Sequence, residues 1–249
     1  MMLNVFRSEL FKLRTTRAPK VVLICAVFLP IVIQALIAQF AFKDGVVGST
    51  VIANVSGFGP LVALLIGVVG VLCSTQEYSQ GTIRITLVAT PQRWTVLLAK
   101  LVTMVAVAVG AVVVLMIGCL GLSQIIMNAR GLQFELIGEN DRIILAFFVL
   151  VPLMAILGLA LGVIFKSPPG ALSALLLWPT IIEGLIFGLL TVATDKNFFR
   201  WAPVQNGFQL VRDVLDSEMN SWGVSAMYFG AFVALFAVAG ASLFVKRDA

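Results

Sequence analysis

The sequence has no histidine among its 249 residues. That removes the usual general base near neutral pH and the commonest metal ligand. Its three cysteines, Cys25, Cys73 and Cys119, each sit inside an apolar run. They make no metal-ligand spacing and read as reduced packing residues. Charge is also scarce: Asp, Glu, Lys and Arg make up 12% of the chain, against about 25% in soluble proteins. No G-x-x-x-x-G-K-[ST] stretch occurs, so the chain carries no phosphate-cradling loop of that kind. Without histidine there is no Ser/His/Asp or Cys/His set, and the chain does not read as an enzyme. No basic run is interleaved with exposed aromatics, which argues against nucleic acid as a partner. Metal and cofactor sites are not expected.

What fills the chain instead is apolar: 60% hydrophobic residues and a mean hydropathy of +1.07. One polytopic, all-α membrane domain covering residues 1–249 follows. Six spans are expected at about Val21–Phe42, Phe58–Ser74, Val96–Ile126, Ile143–Phe165, Gly170–Val192 and Gly223–Val245. Each is close to or above the ~20 residues that cross a bilayer core. Met1–Lys20 reads as an amphipathic interfacial helix, with Leu3, Phe6, Leu10 and Leu13 on one stripe and Arg7, Lys12, Arg14 and Arg17 free to meet lipid phosphates. The apolar run after it is about 22 residues long without a small-residue cleavage site, so it reads as a retained anchor. Lys43–Gly57 is a short turn-rich connection, and Lys166–Pro169 a tight turn.

Lys and Arg divide unevenly. Arg7, Lys12, Arg14, Arg17, Lys20, Arg84, Arg93, Lys100, Lys166, Lys246 and Arg247 fall on the side of both termini. Lys43, Arg130, Arg142, Lys196, Arg200 and Arg212 fall on the other, together with most acids. The positive-inside rule then puts both termini in the cytoplasm, with the chain in the cell membrane.

Gln76–Pro91, QEYSQGTIRITLVATP, is the main polar interruption on that inner side. Thr82 suits an N-cap, Ile83–Ala89 a short helix, and Pro91 its end. It reads either as a docking helix for a soluble partner or as a solvated loop. Glu77 can pair with a partner's cation or cap backbone donors. Arg84 and Arg93 are explained by topology alone, and Lys100 is expected to snorkel to the inner surface. On the outer side, Phe208, Val211 and Leu215 share a face within Thr194–Trp222. Aromatics flank them, so a helix lying on or dipping into the outer leaflet is expected, with a plain surface loop as the alternative.

Within the spans, Glu183 is the only acid. It lies about 13 residues beyond Gly170, ~20 Å along a helix, at nearly the depth of Gln34. Thr180 and Thr191 extend its polar stripe. Gln34 and Glu183 either face a substrate pathway, bonding each other or cargo, or Glu183 is paired locally and holds helices together. Gly158/Gly162 and Gly184/Gly188 are G-x-x-x-G pairs that permit close helix contact. Pro179, one turn before Glu183, is placed to kink its span.

The order of elements resembles the permease subunit of ABC-2 type transporters, the type II ABC exporter fold. The resemblance is carried by several features together. They are the basic N-terminal helix, six spans, E-x-x-x-G-T-I (Glu77, Gly81, Thr82, Ile83), Pro91 and Lys100 opening span three, W-x-P (Trp201, Pro203), and a Lys-Arg-Asp tail. It implies a coupling helix within residues 76–91, contacting ABC ATPase subunits through Glu77, Gly81, Thr82, Ile83 and Arg84. It implies external helices within 194–222 and a second permease subunit, identical or a sister chain. ATP and Mg would be bound by the partner ATPase, not by this chain. Gln34, Thr180 and Glu183 would then line the pathway for a hydrophobic or amphiphilic cargo (drug, peptide or lipid-linked product), and Gly184/Gly188 would pack the dimer. Two other functions fit the composition: a secondary carrier with Glu183 as proton site, and a membrane immunity or scaffold protein.

Overall fold

In the computed structural model, residues 2–41, 46–89, 92–132, 134–135, 141–212 and 219–246 are described. Helix α1, Met2–Thr15, breaks at the extended Thr16 and gives way to α2, Arg17–Phe40. Then come α3, Gly48–Gly57, α4, Gly59–Ser79, α5, Ile83–Ala89, and α6, Arg93–Ala129. They are followed by α7, Asp141–Phe165, and α8, Pro168–Leu177. A π turn at Trp178–Ile182 leads into α9, Glu183–Thr194. The chain ends in α10, Pro203–Gln209, and α11, Trp222–Lys246. Six stretches are long and apolar enough to cross a membrane: α2, α4, α6, α7, the continuous run from α8 to α9, and α11. This is a multi-pass membrane protein by length and composition.

One connection differs from the sequence expectation. Lys43–Gly57 is not only a turn, because it contains α3, whose Val51, Ile52 and Val55 are buried. A three-residue apolar face between small residues is too short to stand out from turn composition. Ahead of α3, β1 (Val46–Val47) pairs in parallel with β2 (Phe134–Glu135), tying the connection after α2 to the one after α6.

The centre is the crossing of α4 and α7. Small residues on each helix let the backbones touch. A Cβ built on Gly158 would collide with the carbonyl oxygen of Gly67, and one on Gly70 with that of Ala155. A Cβ on Gly162 would run into Ser74. Around this seam Ile66, Met104, Leu115, Phe147, Leu150, Met154 and Leu175 are sealed from solvent.

Long-range contacts sort the helix ends. At one end, here the terminal end, α1 reaches both α4 and α6 through Lys12 and Glu9. Arg93 at the start of α6 donates to the carbonyls of Phe244 and Val245 in the last turn of α11. At the far end Arg130 donates to Ala38 O in the last turn of α2. Both arginines place a cation where a helix leaves carbonyls without intrahelical partners. Arg93 therefore has a structural partner beyond any role in topology.

Candidate functional site

The turn between α4 and α5 is made by Gly81, whose φ of +68° suits a residue without Cβ. The α5 helix occupies the span expected of it, Ile83–Ala89. Its start differs in detail: the Thr82 hydroxyl turns back toward the Glu77 carbonyl oxygen at 3.5 Å rather than forward to a helix N–H. Ile83 is buried in a small apolar cluster with Val96, Leu97, Val163 and Phe244 of α6, α7 and α11. Ile85 and Val88, three residues apart, are 71% and 83% exposed. Arg84 lies on the same helix; Pro91 lies outside the described residues.

Behind α5 is a cluster of four charges that pattern reading did not assemble. Lys12 Nζ lies 2.6 Å from both Glu9 Oε1 and Glu77 Oε1. Lys100 Nζ lies 2.7 Å from Glu9 Oε2 and 2.8 Å from Glu77 Oε1. Glu9, Glu77 and Lys100 are buried. Lys100 thus does not snorkel to the inner surface. Two acids and two bases close a neutral square inside the bundle, and each charge offsets the desolvation of its neighbours. Within the chain Glu77 pairs with Lys12 and Lys100 through Oε1. The square ties α1 to the last turns of α4 and the first turns of α6.

The signal was present in Glu9. It falls between Phe6 and Leu13 on the apolar stripe of α1, and an acid on such a face needs a cation facing it.

At the far end Glu183 is fully buried. Pro179 has no N–H, and the helix widens to a π turn in which the Glu183 N–H reaches Trp178 O. The Pro179 carbonyl accepts from Gln205 Nε2 at 2.9 Å. The Glu183 carboxylate accepts Trp178 Nε1 at 2.8 Å and Val204 N at 3.0 Å on Oε1, and Gln205 N at 3.0 Å on Oε2. These backbone donors are the second and third residues of α10, whose own cap position is Ala202 and has no side-chain acceptor. Glu183 is therefore the cap of α10, supplied from another helix. A Trp-Ala-Pro start, with proline at the first helical position and alanine before it, is the sequence sign of a cap found elsewhere.

Of the alternatives for Gln34 and Glu183, a bond to each other within one chain is not formed, and Glu183 is paired locally. Gln34 Nε2 points to Ser123 Oγ of α6 at 3.4 Å. Thr180 is exposed and donates to Leu176 O. The hydrogen bonds of Gln34, Thr180 and Glu183 go to different residues of the chain, and Gln34 Oε1 has no partner among the described residues. Among the described residues beyond its own helix backbone, a Cβ at Gly184 would meet no atom within 4 Å, and one at Gly188 only the ring of Phe199, at 3.7 Å.

The α10 helix is packed inside the bundle. Pro203, Val204, Asn206, Gly207, Phe208 and Gln209 are all buried; Leu215 is outside the described residues. Gly207 sits against the ring of Phe229 on α11. Asn206 Nδ2 donates to Arg200 O and Ala202 O, and its Oδ1 accepts from Asn220 and from Ser225 of α11. The apolar period of this segment reflects packing inside the bundle.

Glu183→Gln places an amide NH2 against a backbone N–H that now meets a carboxylate oxygen. The expected cost is about 1–3 kcal/mol, seen as a lower thermal midpoint in detergent. An unchanged midpoint would remove the capping role.

Compared with known proteins, the sequence matches no family model and no curated protein at the level of similarity required.

Proposed function

We propose that this chain is the permease subunit of an ATP-driven exporter of the ABC-2 type, working with separate ABC ATPase subunits and a second permease chain. The observation that carries this reading is α5. A seven-residue helix between the second and third crossing segments exposes Ile85 and Val88 and is anchored at its base by Ile83. Two exposed aliphatic side chains on a short helix form a small apolar knob suited to a cleft in a soluble protein. Directly behind it, the square of Glu9, Lys12, Glu77 and Lys100 joins that helix's turn to α1, α4 and α6. A force at the knob is thus transmitted to two spans and not absorbed in a loose loop.

ATP and Mg would be held by the partner ATPase, and this chain would supply the path for a hydrophobic or amphiphilic cargo. The positive-inside rule places the knob in the cytoplasm of the cell that makes the protein. The unclad Gly184 surface on α9, beside exposed Leu185 and Leu189, suits close approach of a second permease chain. At Glu183 the three donors around the carboxylate favour a structural role over that of a carrier's proton site.

The test is co-purification from the native cell in mild detergent. Wild-type protein should bring down a nucleotide-hydrolysing subunit in near-equal amount. The Ile85→Asp/Val88→Asp pair, still folded by its melting curve, should lose at least about tenfold of it, the effect of roughly 1.4 kcal/mol of lost contact. Equal recovery by the variant would remove α5 as the docking element.

A further inference from the structure

At the far end, a cavity of about 410 Å³ opens between α9, the Phe199 turn and α10. That is within the roughly 300–1,000 Å³ range of small-ligand pockets. Gln209 lines it, is 1% exposed, and has no hydrogen-bond partner for either Nε2 or Oε1 among the described residues. Its polar neighbours are already engaged. The Thr191 hydroxyl donates to Phe187 O and accepts from Phe198 N, and Gln205 Nε2 donates to Pro179 O. A buried carboxamide with both ends unpaired is costly, and it calls for a ligand presenting a donor and an acceptor side by side.

An extended peptide presents that pair, since the N–H and C=O of one residue point to the same edge of the strand. Arg212 lines the same cavity, is exposed, and is held one turn beyond Gln209 by its N–H to Gln209 O at 3.2 Å. It supplies a cation to the same cavity. Phe199 and Met219 give the cavity apolar wall.

We propose that this cavity binds the C-terminal end of an extended peptide. Gln209 Oε1 accepts the penultimate residue's N–H, and Gln209 Nε2 donates to that residue's carbonyl. The terminal carboxylate pairs with the Arg212 guanidinium, and an apolar side chain rests against Phe199 and Met219. The peptide's being export cargo rests on the permease reading; the binding itself does not.

The experiment uses the full chain in lipid nanodiscs, without ATP or ATPase, and a fluorophore-labelled apolar hexapeptide read by anisotropy. The free-acid peptide should bind saturably, and its C-terminal amide at least tenfold more weakly. Arg212→Gln should abolish the acid–amide difference. Gln209→Leu should weaken both peptides at least fivefold while leaving the melting temperature level or higher, because a buried unpaired amide has been removed. If no peptide binds the folded wild type, or acid and amide bind alike and Arg212→Gln changes nothing, the cavity is solvent-filled and the proposal is overturned. Peptide binding without any co-purifying ATPase would keep this site and remove the exporter reading. The converse result would do the reverse.

Discussion

Lys100→Met is expected to destabilise the protein by about 3–5 kcal/mol, among the largest effects of any single substitution here. The ammonium lies within 2.8 Å of carboxylate oxygens of both Glu9 and Glu77, and it is only 2% exposed. Removing it leaves two buried carboxylates to share Lys12, a side chain that is partly in solvent. The loss then comes mainly from stranded negative charge, not from the missing attraction. That distinction can be measured. In Lys100→Met/Glu9→Gln the surviving pair is Lys12 with Glu77, neutral again. The double variant should recover a substantial part of the loss, with a coupling energy of roughly 0.5–3 kcal/mol. Strict additivity in thermal or denaturant unfolding would mean that the four charges do not act as one unit. If the square also transmits motion, Lys100→Met in a conditionally stabilised background should retain partner binding and lose transport.

Gly158→Leu is the second large effect, expected to cost about 3 kcal/mol or more and to abolish the monodisperse species in size-exclusion chromatography. Even the first carbon of a side chain at 158 collides with the backbone oxygen of Gly67. Backbone cannot rotate aside as a side-chain tip can, so α4 and α7 would have to separate along the seam that holds the core. Gly184→Leu is the matched control. It changes a glycine of the other G-x-x-x-G pair, where no described residue beyond its own helix backbone stands within 4 Å of an added Cβ. The single chain should fold with it unchanged. If a second permease chain packs there, Gly184→Leu should shift the particle toward monomer. Equal damage from both glycines would contradict the assignment of one seam to the interior and one to the outside.

The crossing helices were the most legible part of this molecule, because a span is a matter of length and hydropathy, which composition reports directly. The α5 helix was legible as well: Gly81 and Ile83–Ala89 form a turn followed by a helix-competent run. What could not be read were partners between segments far apart in sequence. Lys100 stands seven residues inside α6, where a snorkelling lysine and a lysine buried against Glu9 and Glu77 have the same local sequence. Glu183 stood out correctly as an expensive acid in a span. Its depth suggested Gln34 as the partner because depth is all that counting residues gives. The donors that hold it come instead from α10, through a π turn that Pro179 makes possible. Likewise the face of Phe208 and Val211 looked like a lipid-facing surface, since period alone does not say which apolar medium a face meets. The α3 helix was missed because Ser49, Thr50 and Gly57 carry turn composition while three buried aliphatic side chains do the packing.

Everything proposed about energy supply converges on the outer surface of α5, and a photocrosslinker at position 88 interrogates it directly. With benzoylphenylalanine in place of Val88 in the native cell, illumination should join this chain to a cytoplasmic nucleotide-hydrolysing protein, and ATP-analogue trapping should change the yield. Adducts formed only with lipid or with extracellular material, while the protein still transports at its full rate, would contradict the account.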